Sequence, residues 1–422
     1  MKIYKFLVLI LAVTTTLFTG CSRNTQVDTS NKETYKYLKS NYQAINLENE
    51  DGFSDLSIID DDLKDKEVFF TGESHGVEAN GKLKMKFLKY LKEKTDFKYY
   101  LCELPYSDGY FLNKYLAAGD INILKKIYEP LKGTFEWNKD NFNHWKELYK
   151  YNQSLPKDKR IQVIGMDIEH QPINALCYMT SILPNEEIPK ELSSILNELK
   201  QIYQEKNIDG NKLKAYCERL QKDMEEKEEI YINYLREDFS GFKLVNDNIL
   251  YVFEAYADNK DSMYFNKVRD KRMYENFKKV YEESSKGKYY GQWGLNHVFQ
   301  KEQLDVKWIA AAMNEEGSPL KDKILSIVYA YEDCKVMKKN NDRTYSVGKM
   351  NDNESIKNLF NDLVKKDYSI YKLNGEGSPF NKELMWPFGH GKPVDGVTTD
   401  YFQYILVIRN SDATKPLNDE YN

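Results

Sequence analysis

The chain has 422 residues, 41% of them hydrophobic and 30% charged, which supports a sizeable core and excludes a disordered chain. Its 61 basic and 66 acidic side chains leave a net charge of −5, so a global electrostatic attraction to nucleic acid is excluded. At roughly 150 residues per domain, the length allows about three domains or one large α/β unit with insertions.

The chain opens with a short basic stretch, Met1-Lys2-Ile3-Tyr4-Lys5, followed by an apolar and threonine-rich run from Phe6 to Phe18. That run is too short for a comfortable membrane span and reads as an export signal. Leu17-Phe18-Thr19-Gly20-Cys21 resembles the bacterial lipobox, although Phe18 stands where such boxes usually carry Leu. The resemblance implies that residues 1–21 are a lipoprotein signal and that Cys21 is acylated and becomes the mature N-terminus. The protein would then be lipid-anchored and extracytoplasmic, touching the membrane through the anchor only. Residues 22–40 read as a polar tether. The other cysteines, Cys102, Cys177, Cys217 and Cys334, have wide spacings that fit neither a zinc site nor a redox motif.

Short apolar runs bounded by turn residues recur at Val68–Thr71, Tyr99–Leu104, Ile161–Ile168, Tyr289–Gly291, Ile324–Tyr331, Tyr368–Leu373 and Phe402–Ile408. The first three and Ile324–Tyr331 lack clean polar alternation, as expected of strands covered on both faces. Between the first two, Leu83, Phe87, Leu88 and Leu91 follow helical spacing with lysines on the other face. Strand, helix, strand predicts an α/β fold with a mostly parallel central sheet flanked by helices. Residues 186–286 break this rhythm. Leu192, Leu196, Leu199, Ile202 and Tyr203 keep helical period, as do stretches from Lys212 to Tyr234 and from about Leu244 to Tyr281. They predict a large helical insertion or cap, which divides the α/β core into a first part at 41–185 and a second at 287–422.

The chemistry-bearing residues gather at the predicted strand ends. Thr71-Gly72-Glu73-Ser74-His75-Gly76 follows the first strand, and the chain has only five histidines. Two residues apart on an extended chain, Glu73 and His75 point to the same side. In open α/β sheets, ligands bind outside the strand carboxyl ends. A carboxylate beside an imidazole fixes its tautomer and raises its basicity, as a general base requires. The plain alternative is a histidine that satisfies a turn or caps the next helix. Cys102-Glu103-Leu104 ends the second strand, Met166-Asp167-Ile168-Glu169 the third, and Asn296-His297 follows a later one. His144 reads as a helix-face residue, His170 as a loop residue and His390 as part of a turn. No Gly-x-Ser-x-Gly elbow occurs, which disfavours a serine nucleophile.

These residues in this order resemble the erythromycin esterase family, in which a Gly-Glu is closely followed by His-Gly. The resemblance continues through Cys102-Glu103 with Asp108-Gly109, Trp137, Trp145, Tyr151-Asn152 and Gly165-Met166-Asp167. It then takes in Arg269-Asp270 with Met273 and Asn276, and Asn296-His297, and ends near Tyr401–Ile408. One departure stands out: only Ser74 separates Glu73 from His75, where the named esterases typically have two residues. The resemblance implies a metal-independent, cofactor-free, monomeric hydrolase that opens a small-molecule ester or lactone. His75 would be the general base, Glu73 and Glu103 would orient it, and His297 would polarise the carbonyl or hold the water. Lys84 would meet the developing oxyanion where the family tends to place an arginine, and Arg269 would face the substrate. Two other classes fit the same residues. One is a metallohydrolase using Glu73, His75, Glu103 and His297 as ligands; the other is a surface lipoprotein that binds a ligand without chemistry.

Overall fold

The computed structural model describes residues 32–417, apart from 50, 206, 259, 285, 351–359, 361, 362, 364, 365 and 390. The signal, Cys21 and His390 therefore lie outside the described residues.

Eight strands form one sheet: β1 (Tyr42–Ala44), β2 (Val68–Glu73), β3 (Tyr99–Pro105), β4 (Gln162–Asp167), β5 (Tyr289–Gly294), β6 (Ile324–Glu332), β9 (Tyr368–Lys372) and β10 (Tyr404–Arg409). Their order is β1-β9-β10-β6-β2-β5-β3-β4. Strand β2 pairs in parallel with β5 and β6, and β10 in parallel with β6. Strand β9 runs antiparallel to both of its neighbours, β10 and the short edge strand β1. The expected mostly parallel α/β sheet is what forms. A separate two-stranded hairpin, β7 (Lys335–Lys339) with β8 (Tyr345–Lys349), was not anticipated. Its residues are lysine-rich and largely exposed, so no apolar alternation marks them.

The chain groups into two compact units. The larger holds residues 32–101, 132–162 and 285–417. Strand β2 is buried throughout except at Glu73, and the nine residues of β6 are all buried. The helices Ala79–Thr95 and Lys139–Ser154 belong to this unit. Asn152 closes the start of the segment leading into β4: its Nδ2 donates to the Ile161 carbonyl (2.9 Å) and its Oδ1 accepts from the Ile161 N–H (2.7 Å).

The smaller unit holds Cys102–Leu131 and Val163–Ser284. Its helical part runs through Ser193–Gln204, Gly210–Glu226, Glu228–Leu235, Phe239–Ala255 and Tyr264–Glu283. Leu196, Leu199, Ile202, Leu213, Leu220, Phe242 and Val245 form its core. Two of the helical stretches expected from periodicity are interrupted. Lys227 leaves helical geometry (φ −127°, ψ 30°), and the Asp258 and Asp261 side chains accept from the Lys260 and Met263 N–H groups. Such local side-chain bonds compete with helix and build turns. Asn113 satisfies both backbone groups of Val163 on edge strand β4, donating to its carbonyl (2.7 Å) and accepting from its N–H (2.9 Å). One amide side chain thus stands in for a missing strand neighbour.

That edge depends on two glycines. A Cβ on Gly165 would lie 1.9 Å from the Pro105 carbonyl oxygen, and one on Gly109 would lie 2.5 Å from the Gly165 nitrogen. Backbone cannot give way as a side-chain tip can. Gly165→Ala is expected to destabilise by about 3 kcal/mol or more. Gly317→Ala meets nothing within 4 Å and should cost only the left-handed strain of its φ of +84°, about 1–2 kcal/mol. Denaturant midpoints of the two variants check the contrast.

Candidate active site

In the larger unit, β2 delivers Glu73 and His75 to the carboxyl end of the sheet. The next residue, Gly76, has φ +95°, and a Cβ there would meet the Met337 carbonyl oxygen at 2.6 Å. Its carbonyl accepts from the Met337 N–H (2.9 Å) and the Thr414 N–H (3.0 Å), so the turn is held from two other segments. His75 Nδ1 lies 2.5 Å from Glu73 Oε1, with the Glu73 side chain 11% exposed and the His75 ring 43% exposed. An ionised carboxylate can only accept, so Nδ1 is the donor in this contact, and in the neutral ring the lone pair is then on Nε2. The ring also rests against Phe135, with centroids 5.6 Å apart.

The other carboxylate oxygen is held as well. Asn80, in the first turn of the helix after the motif, donates from Nδ2 to Glu73 Oε2 and to the Ser74 carbonyl (2.8 Å). Asn80 Oδ1 accepts from the Tyr331 hydroxyl at 2.9 Å, and that hydroxyl accepts from the Ser74 N–H at 3.0 Å. Burial, and then the charge of Glu73, push the Tyr331 hydroxyl well above its ordinary pKa, so it stays a donor. Tyr331 is the penultimate residue of β6, which lies beside β2 in the sheet. Neither Asn80 nor Tyr331 was singled out from sequence; Asn80 stands five residues after His75, and Tyr331 sits in a continuous apolar run.

His297 follows β5, the other neighbour of β2, whose Gly294 pairs with Glu73. It is buried, its ring edge-on to Trp308 (5.2 Å) and near Trp293 (6.0 Å). Lys84 lies one turn beyond Asn80, half-buried, and its Nζ donates to Asn141 Oδ1 at 3.0 Å. His144 is buried, and among the described residues neither ring nitrogen has a hydrogen-bond partner. Burial, and then the Lys84 ammonium, hold it well below the usual histidine range, so it is a neutral core residue. A cleft of about 170 Å³ between the helices Ala79–Thr95 and Lys139–Ser154 is lined by Lys82, Lys86, Asp140 and His144; His75 does not line it.

The smaller unit contains Glu103 and Arg269. Arg269 grips Asp167 bidentately (2.9 and 2.6 Å) and donates a further bond to Glu103 Oε1 at 2.8 Å. His170 Nε2 lies 3.3 Å from Asp167 Oδ2. Burial alone would raise the Asp167 carboxyl, but Arg269 and His170 outweigh it and hold it well below the usual range. Nearby, the buried Glu169 accepts from the Ser107 N–H (3.0 Å) and the Ser107 hydroxyl (2.6 Å) at the start of the helix Tyr106–Ala118. Burial pushes its carboxyl up to about 8, the Ser107 bonds opposing and the Asp108 and Asp167 charges adding to the rise.

The structure thus joins Glu73 with His75, and Glu103 with Arg269. Lys84 and His297 share the larger unit with the first pair. Among the described residues no group of three or more His, Cys, Asp and Glu side chains is arranged to hold a metal ion. No helix among them is long and apolar enough to cross a membrane. Cys102, Cys177, Cys217 and Cys334 are all buried free thiols.

This sheet and its helices define an erythromycin-esterase-like fold. A mutant erythromycin esterase in its open conformation superposes with a TM-score of 0.63 at 12% identity, covering 90% of this chain and 99% of that one. A protein from Bacillus cereus matches with a TM-score of 0.70 at 19% identity, over 93% of this chain and all of that one. A succinoglycan biosynthesis protein matches at 0.67 and 15%, over 91% and 98%. No protein-family model matches the chain, and no curated protein does.

Glu169 gives the smaller unit a pH signature. Its folded pKa of about 8 lies above the ordinary 4.5, so between those values the folded state keeps a proton that the unfolded chain has released. Its contribution is intact below about 4.5 and is lost as pH rises to about 8. Glu169→Gln keeps the shape and cannot ionise. The variant is expected to gain stability over the parent by on the order of 1–3 kcal/mol at pH 8.5 and to match it near pH 4.5. Denaturant titrations at the two pH values read the difference.

Proposed function

We propose that the chain is a hydrolase that opens an ester or lactone with water activated by His75. The observation that carries the reading is the 2.5 Å contact between His75 Nδ1 and Glu73 Oε1 at a strand end, on a half-exposed ring. The likeness of the fold to an erythromycin esterase supports the reaction class. His75 Nε2 takes a proton from water while the water oxygen attacks the carbonyl carbon. Glu73 stabilises the resulting imidazolium across Nδ1. As the tetrahedral intermediate collapses, the C–O bond to the alcohol breaks and Nε2–H returns the proton to the leaving oxygen. Lys84, a half-buried ammonium with spare N–H donors, supplies positive charge for the oxyanion. His297 polarises the carbonyl or holds the water. Glu103 and Arg269 keep the roles that the family resemblance implies, electrostatic support of the base and contact with the substrate.

A panel of esters and lactones offered to the chain lacking residues 1–21 tests the reading. His75→Ala is expected to lower turnover by about 10²–10⁴-fold with little change in thermal midpoint, because a strand-end polar side chain carries little core packing. Glu103→Gln is expected to weaken turnover strongly, and His297→Ala to a similar or smaller extent. Chelators should leave the rate unchanged. Full activity of His75→Ala on a confirmed substrate sinks the proposal, and loss of bound metal in that variant transfers the chemistry to a metallohydrolase.

By the resemblance of the segment before Cys21 to a lipobox, we propose that the chain is held by acyl chains on the extracytoplasmic face of a membrane. Cys21→Ala should abolish lipid labelling and change processing. Recovery of the parent chain from the cytoplasm with Met1 intact overturns that location.

A further inference from the structure

We propose that Asn80 and Tyr331 are positioning residues that act together to hold Glu73 in the orientation that fixes the tautomer of His75. The inference rests on the assignment of His75 as base and extends it to two residues that act on His75 through Glu73.

Donors and acceptors match throughout the set. Asn80 has two N–H donors and one carbonyl oxygen at the end of a rotatable amide. In one orientation the Nδ2 donors meet Glu73 Oε2 and the Ser74 carbonyl, and Oδ1 meets the Tyr331 hydroxyl. Turned by 180°, the amide would set its oxygen against a carboxylate and a carbonyl, and its donors against a hydroxyl proton. Tyr331 excludes that second state. Its hydroxyl accepts from the Ser74 N–H, so its one proton must go to Asn80 Oδ1. The direction of every bond in the set follows: Ser74 N–H to Tyr331, Tyr331 O–H to Asn80, Asn80 N–H to Glu73, and His75 Nδ1–H to Glu73.

The set is also rigid. Asn80 and Tyr331 are both buried. Asn80 sits in the first turn of a helix, where the Ala79 N–H is taken by the Ser411 hydroxyl at 3.1 Å, and Tyr331 sits on a paired strand. With Oε2 tied to Asn80, the Glu73 carboxylate cannot rotate away from Nδ1. A carboxylate held by neutral donors also keeps its full charge, and that charge is what stabilises a protonated imidazole.

The test uses the full-length chain with nitrogen-15 in its histidines, the His75 signals being assigned by their loss in His75→Gln. Two variants probe the set. Asn80→Asp keeps the shape but turns a donor into an acceptor facing Glu73, and Tyr331→Phe removes one oxygen. In the parent, His75 is expected to show a protonated Nδ1 and an unprotonated Nε2 at neutral pH. Both variants are expected to give a mixed tautomer. On any ester that the parent hydrolyses, kcat should fall about 10- to 100-fold with KM little changed, a smaller loss than that of the base itself. A merely structural role would lower the thermal midpoint and leave the tautomer alone. Retention of the Nδ1–H signature in both variants, or in whichever one folds, overturns the proposal. A tautomer shift supports it even where the parent hydrolyses nothing on the panel, an outcome that removes only the hydrolase reading.

Discussion

The end of β2 faces a constraint from which the rest of the site follows: a carboxylate must sit, largely out of water, where the strand stops. Glu73 is 11% exposed at its side chain, too little for solvent alone to satisfy two charged oxygens. Each oxygen instead receives an N–H, one from His75 and one from Asn80. The chain geometry is fixed to match. A Cβ on Gly72 would lie 2.4 Å from Val298 Cγ2, so the strand passes close under the turn that carries His297. Gly76 then turns the chain with a positive φ and is bonded through its carbonyl to the segments around Met337 and Thr414. The position of the imidazole is therefore a consequence of sheet packing and two glycines rather than of the histidine itself.

The chain meets the same electrostatic problem at the end of β4 in the opposite way. Asp167 is neutralised by a bidentate guanidinium, with His170 at its flank. A carboxylate bound to arginine has its charge cancelled at short range and is firmly ionised. It is well suited to tying a strand end to the helix Tyr264–Glu283, and poorly suited to raising the basicity of a histidine. Glu73 is held by neutral groups and keeps its charge for the imidazole. Glu169 shows a third solution, burial as the neutral acid at the start of a helix. Three acids at or just beyond strand ends thus meet three different surroundings, set by the partner each one finds.

The α/β class and seven of the eight sheet strands were legible because buried parallel strands are continuous apolar runs bounded by turn residues. The Glu73–His75 pair was legible because it is local, two residues apart at a strand end. Its support was not. Asn80 and Tyr331 are separated by 251 positions, and a tyrosine within an apolar run such as Ile324–Tyr331 reads as core until its hydroxyl is seen to have two partners. The pairing of Arg269 with Asp167 and Glu103 was hidden for the same reason, since it spans 102 and 166 positions. The helix breaks at Lys227 and at 256–263 escaped because apolar periodicity continues across them. The hairpin β7–β8 escaped because it has almost no buried face.

Several residues that carried the family resemblance turn out to be backbone carpentry. Gly109 and Gly165 permit a helix to touch a strand, and Asn152 bonds both backbone groups of Ile161. Asn276 donates to the Met166 carbonyl at 3.0 Å, and Trp145 packs edge-on against Tyr100. Residues of this kind preserve a sheet edge whatever the chain acts upon. Such residues serve the fold, and the fold is what structures at 12–19% identity share with this chain over at least nine-tenths of its length. They also explain why superposition says little about substrate, because the atoms that would touch one are a different and much smaller set. In this chain Ser74 alone separates His75 from Glu73. The turn is fastened by Tyr331 through the Ser74 N–H and by Asn80 through the Ser74 carbonyl, so Ser74, the one residue between the pair, is bonded through both of its backbone groups.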